Sequence, residues 1–253
     1  MNDRATAVDL AADSTASPRP PSDPGALRGE VWLQLQTRQA QRLLAGRRAG
    51  EGKAPIVGLL GFADRLRLVW QAARADDPYA DWWLFKVERA LAQSATELTV
   101  ARSAVDALLV ASEGLTVTVA ASVKPARVKL LFANPYAYRG AQLLAAYDGF
   151  ARRVLSAQHV GLLNRDEAER RLHLGAKPLR RAFGSVLDYR FLGITRSDLL
   201  QQTAKGQGAA SAMGELPPEI LSGALRAELA PGPLAARRLE LPVPEVTPLA
   251  SLP

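Results

Sequence analysis

Two stretches of this chain alternate apolar and polar side chains and then run into helix-start signals. In residues 30–36, EVWLQLQ, Val31, Leu33 and Leu35 fall on one side, with Trp32, Gln34 and Gln36 on the other. That period of two is the mark of a strand with one buried face. Thr37 can then cap a helix through Leu44, and Gly46 can close it. Over residues 126–133 the pattern recurs, with Val128, Leu130 and Phe132 on one side and Arg127 and Lys129 on the other. Asn134 supplies an N-cap, and Pro135 a first helical residue that needs no N–H. A basic strand face feeding a capped helix suits a β-ribbon that reads DNA, and equally a surface strand with a solvated face. The two strands can pair with each other, or each with its copy in a dimer; spacing does not choose.

The remaining periodicity is helical. Residues 56–75 set Leu59, Phe62, Leu66, Val69 and Ala73 on one face. Asp77 and Pro78 suit the start of a long helix to about Ala111, in which Leu84, Leu91, Leu98 and Val105 recur every seven positions, with an irregularity at Ser94. The short connection predicts a helical hairpin over 56–113, with dimerisation as an alternative use of it. Residues 115–122, LTVTVAAS, read as a β run. The helix from Pro135 carries Tyr136, Leu143, Tyr147, Phe150 and Val154 on one stripe. Its Gly140 and Gly149 each cost about 1 kcal/mol relative to alanine, which points to close approach of another backbone. Asn164 caps a short helix stopped by Gly175, and Pro178 starts another. Thr195 and Asp198 have capping-box spacing and open a last helix to about Ala210.

Residues 1–27 and those beyond Gly214 are rich in proline and small side chains. Both are expected to be disordered tails, the second with one short helix at 219–228. The expected fold class is therefore mainly α with a few short β-strands, α+β, in one structured domain over 28–214.

Composition narrows the chemistry. The chain contains no cysteine, which excludes disulfides and thiolate metal ligands and fits a reducing cytoplasm. No apolar run approaches membrane-spanning length, and the N-terminus lacks the apolar core of a signal peptide. The net charge is +7, but residues 124–190 hold 13 Lys plus Arg against 5 Asp plus Glu. The excess positive charge therefore lies in the segment that begins with the second strand, as a polyanion partner requires. The two histidines, His159 and His173, are too far apart for a metal pair on one helical turn. No phosphate-binding loop, dinucleotide fingerprint or nucleophile elbow occurs. Asp76, Asp77 and Asp81 suit turn and cap roles, and Tyr136 and Tyr138 lack an acid–base partner for strand transfer. No enzyme, cofactor or metal is expected.

Four segments carry a resemblance: LRGEVWLQLQTRQAQRLLAGR, IVGLLGFADRLRLVWQAARADDPYADWWLFKVERAL, NPYAYRGAQLLAAYD and LLNRDEAERRLHLGAKPLRRAF. Together they resemble the AcaB-like family of integrative and conjugative element proteins, over residues 27–214. The resemblance implies a ribbon-helix-helix element and a cytoplasmic regulator of conjugative transfer genes. Double-stranded DNA is then the partner, and a homodimer the expected state. It further implies that Arg127 and Lys129 reach base edges, that Leu131 makes an apolar contact, and that the helix start at Asn134 and Tyr136 receives a phosphate. Lys124 and Arg139 complete the candidate DNA-binding set. The helical hairpin and the C-terminal helices are additions to the minimal fold. They leave open a second reading, a non-enzymatic accessory protein of the transfer machinery that binds protein partners, or DNA without sequence preference.

Overall fold

A computed structural model describes residues 29–232, apart from 51, 53, 111–113 and 115. The expected tail at 1–27 and everything from 233 onward lie outside the described residues. The chain divides into a unit ending at Glu30, of which only Gly29 and Glu30 are described and both are exposed, and a compact unit from Val31.

Both alternating stretches form strands, and they pair within the chain. β1 (Val31–Leu35) runs antiparallel to β4 (Ala126–Leu130), with Leu33 opposite Val128 at the centre of the register. Each strand leads into a capped helix. α1 (Arg38–Ala45) starts at Thr37, whose hydroxyl accepts from the Ala40 N–H. α4 (Pro135–His159) starts at Asn134, whose Oδ1 accepts from the Ala137 N–H. Because the ribbon is antiparallel, the two helices leave it from opposite ends; α4 packs against β1, and α1 packs against α4. The inward residues Leu33, Leu35 and Leu130 are core. This settles the alternative that spacing left open.

The other elements enclose α4. A two-residue ladder joins β2 (Gly46–Arg47) to β3 (Ile56–Val57) and turns the chain into α2 (Leu59–Arg74). α3 (Pro78–Val110) forms the expected hairpin with α2, and Asp77 accepts from the Tyr79 and Ala80 N–H groups as its cap. The heptad leucines do not make a free seam: α3 packs along α4 and along α5 (Arg165–Gly184). Ser94, the irregular position, donates from its hydroxyl to the Pro178 carbonyl of α5 at 2.9 Å. Gly140 marks a close approach, but of side chains rather than of another backbone: a Cβ there would lie 3.0 Å from the Phe62 ring and 3.1 Å from Leu59. Gly149 does not, the nearest atom being the far end of Arg153.

Three expectations give way to packing. Residues 116–122 are not a strand. They join neither ribbon, and strand propensity acts only through such neighbours. Side chains meet their backbone instead: Ser156 accepts from Ala120 N–H, Arg152 donates to the Ala120 carbonyl, and Gln36 accepts from Ser122 N–H. Second, Gly175 and Pro178 do not split the helix after Asn164; α5 is continuous through both. Gly175 faces the Phe150 ring so closely that a Cβ would stand 2.4 Å from it. The burial of Leu172, Ala176, Leu179 and Phe183 along one face carries the helix past the hydrogen bond that proline removes. Third, the last expected helix is two: α6 (Arg196–Leu200), opened by the Thr195–Asp198 capping box, and α7 (Ala204–Met213).

The C-terminal stretch expected as tail from residue 215 is packed as far as it is described. It holds α8 (Pro218–Ser222), with Ile220 and Ala227 buried. Arg226 donates through Nε and Nη2 to Asp81, a carboxylate with 0% exposure that also accepts from Arg196 at 2.6 Å. Proline content signalled disorder; one buried carboxylate with two arginine partners overrides it.

A second buried carboxylate joins the halves. Asp148 of α4 accepts from the backbone N–H of Gln36 at 2.9 Å, the N–H of Thr37 at 2.8 Å and the Thr37 hydroxyl at 2.7 Å. It thus binds the open N–H groups and positive end of α1. Asp148→Ala strands those donors in the interior and should lower unfolding stability by about 3 kcal/mol, read from urea titrations. Asp148→Asn, which keeps one acceptor, should lose less. A loss for Asp148→Ala within experimental error of zero would show that the junction is held elsewhere.

Candidate nucleic-acid interface

Alternation gives the ribbon one face directed away from the core. Trp32 and Gln34 come from β1, and Arg127 and Lys129 from β4; all four are exposed. The register sets Trp32 opposite Lys129 and Gln34 opposite Arg127. Arg127 also reaches across the diagonal, its guanidinium carbon 5.1 Å from the centre of the Trp32 ring. Lys124 is exposed ahead of β4, and Leu131 is 82% exposed just beyond it. The surface therefore offers cations, an amide and an indole over an apolar underside that fixes the backbone. Trp32 and Gln34 were absent from the candidate set, although the alternation in EVWLQLQ had already put both on the outward side.

The remaining candidates lie elsewhere. Asn134 is 3% exposed and serves as the α4 cap, with its Nδ2 buried and unpartnered among the described residues. Tyr136 and Ala137 have no exposure at all, so the first turn of α4 presents no open N–H group to a phosphate at that point. The Tyr136 hydroxyl accepts from the Leu229 N–H at 2.9 Å, and burial pushes its pKa up to about 12. Arg139 donates to Glu228 and Glu88 at 3.0 and 3.1 Å, and the Glu228 hydrogen bond raises its pKa. Tyr136 and Arg139 hold the C-terminal segment against α3 and α4, while Asn134 is spent on the α4 cap. The expectation that they contact DNA is corrected for that reason: a tyrosine on an apolar stripe beside a helix start is core, and the arginine one turn on has acidic partners.

The excess positive charge is likewise divided. Arg153 pairs with Asp106, Arg171 and Arg170 with Glu167, and Arg181 with Glu97. Much of the basic segment is thus paired with acids, within α5 or across to α3. Arg127 and Lys129 remain on the outward face of the ribbon.

Comparison with known proteins gives the family. The model of a family described as transcriptional regulator AcaB matches residues 23–232. The chain belongs to the AcaB family of transcriptional regulators. The matched span includes the packed C-terminal segment as far as residue 232, so that segment is part of the family's domain. Among solved structures, the chain is similar to selenomethionine-containing AcaB from uropathogenic E. coli, with a TM-score of 0.53 and 14% identity over 79% of this chain and 98% of that one. At that identity the likeness speaks for the fold. No curated protein matches the sequence. Among the described residues, no helix is long and apolar enough to cross a membrane.

If Tyr136 is a strut, Tyr136→Phe removes the acceptor for the Leu229 N–H at a cost of about 1 kcal/mol. Limited proteolysis should then cut the 224–232 segment faster than in the parent protein. Unchanged cleavage would mean that the ties of Arg226 to Asp81 and of Glu228 to Arg139 and Glu88 suffice to hold the segment.

Proposed function

We propose that the chain is a DNA-binding transcriptional regulator that lays the β1–β4 ribbon in the major groove. One observation carries the reading: two strands of a single chain make a ribbon whose inner side is core and whose outer side presents Gln34, Arg127 and Lys129. The groove admits a two-stranded ribbon. Arginine or lysine pairs there with guanine O6 and N7, and glutamine with adenine N6 and N7. Trp32 lies under the Arg127 guanidinium, and such a cation–π contact contributes about 0.5–1 kcal/mol at an exposed site. It holds the arginine extended before DNA arrives. Leu131 suits contact with a thymine methyl, and Lys124 suits a phosphate.

Family resemblance supplies the proposed targets, the transfer genes of an integrative and conjugative element, and with them a cytoplasmic site of action. The expected homodimer would bring together two finished ribbons rather than build one, and would read two half-sites in place of one.

The test is fluorescence anisotropy with promoter fragments of such an element against random duplex. Arg127→Ala should cost about 1–3 kcal/mol on the promoter and relax base preference. Affinity should fall with salt in proportion to the phosphates neutralised. If parent and variant bind promoter and random duplex alike, the ribbon is not the reader, and the accessory-protein reading takes its place.

A further inference from the structure

Away from the ribbon, α1, α4 and α5 enclose a cavity of about 420 Å³. Its floor is apolar: Leu43 of α1, Tyr147 of α4, and Leu172 and Ala176 of α5 are all buried. Its rim is cationic. Arg42 from the last turn of α1, Arg47 of β2 and Arg180 of α5 surround the opening, with His173 beside them. No carboxylate lines it among the described residues, and none of the three arginines forms an ion pair there. Arg47 and Arg180 each give one N–H to a backbone carbonyl, of Ala54 and His173. Their remaining donors are left for a ligand. The Tyr147 hydroxyl is already committed to the Leu172 carbonyl at 3.1 Å, so the floor contributes shape rather than a further polar contact.

We propose that this cavity is a binding site for a small organic anion with an apolar body, a carboxylate or sulfonate on an aromatic ring or short acyl chain. Small-molecule sites are concave, mostly apolar, about 300–1,000 Å³ in size, and carry a few convergent polar groups. Three guanidiniums around one concavity repel one another until an anion joins them, and they bind carboxylates in a fixed two-pronged geometry. A DNA phosphate would satisfy the arginines but has no body to cover Leu43, Leu172 and Ala176. The apolar floor therefore selects the small ligand over the polymer.

The location gives the site a path to the ribbon. A bound anion touches the last turn of α1, whose first turn is held at the end of β1 by Asp148, the neighbour of Tyr147. That consequence for DNA rests on the ribbon reading; the site itself does not.

The test uses the full chain without DNA and 8-anilinonaphthalene-1-sulfonate as a fluorescent probe. One saturable site is expected, with the probe displaced by 1-naphthoate or by decanoate; the better competitor tells an aromatic acid from an acyl one. The double variant Arg42→Glu/Arg47→Glu should weaken probe binding about tenfold or more while melting at the parent temperature. If that variant does not fold, Arg180→Gln alone should weaken it about threefold. Parent-like probe affinity in a folded variant overturns the proposal, as does failure of both acids to displace the probe. Displacement by duplex DNA but by neither acid would assign the arginines to a nucleic-acid backbone and overturn it equally.

Discussion

The fold depends on one buried carboxylate. Asp148 sits in the middle of α4, the helix that continues β4, and accepts three hydrogen bonds from the point where β1 becomes α1. Segments more than a hundred residues apart are fixed by this contact in one relation, at the end of β1 that pairs with the start of β4. A strand pair alone is marginal in water. Here both strands continue into helices that are locked together at a charged, desolvated joint, and the inward residues of the ribbon complete the same core.

That arrangement separates two uses of positive charge. Arg139 and Arg153 of α4 and Arg181 of α5 pair with acids on α3 and the C-terminal segment and tie these elements together, while other arginines of α5 pair within their own helix. Arg226 and Arg196 do the same at Asp81, closing the C-terminal segment over the start of α3. The outward ribbon face carries Arg127 and Lys129 beside Gln34 and Trp32, on a backbone whose inner side, Leu33, Leu35 and Leu130, is core. A surface preordered in this way loses little entropy when it binds, the condition for reading base edges rather than merely attracting a polyanion.

Elements with strong period and cap signals were legible from residues alone. β1, α1, the start of α3, β4 and α4 all stand where alternation, Thr37, Asp77 and Asn134 put them. The lost elements failed for tertiary reasons. Residues 116–122 had strand propensity but their backbone is taken up by the side chains of Ser156, Arg152 and Gln36, Pro178 was carried through by the buried face of α5, and the proline-rich C-terminal stretch was recruited by Asp81. For the interface, the strand face of Arg127 and Lys129 was legible, and so was its mate in EVWLQLQ, although the pairing was not. Tyr136 and Arg139 were misjudged because their partners, Leu229, Glu228 and Glu88, are 93, 89 and 51 residues away in sequence. Asp148 left a trace: it lies one turn from Leu144 and less than one turn from Ala151, on the buried stripe of its own helix, where an unpaired carboxylate would be costly.

The central claim is that two strands of one chain form the DNA-reading surface. Hydrogen–deuterium exchange of the full chain, with and without saturating promoter DNA, tests it most directly. The account predicts new protection concentrated in residues 31–35 and 126–131, with α3 and the 224–232 segment unchanged. Protection confined to α2 and α3, with the ribbon exchanging as it does in the free protein, would contradict it.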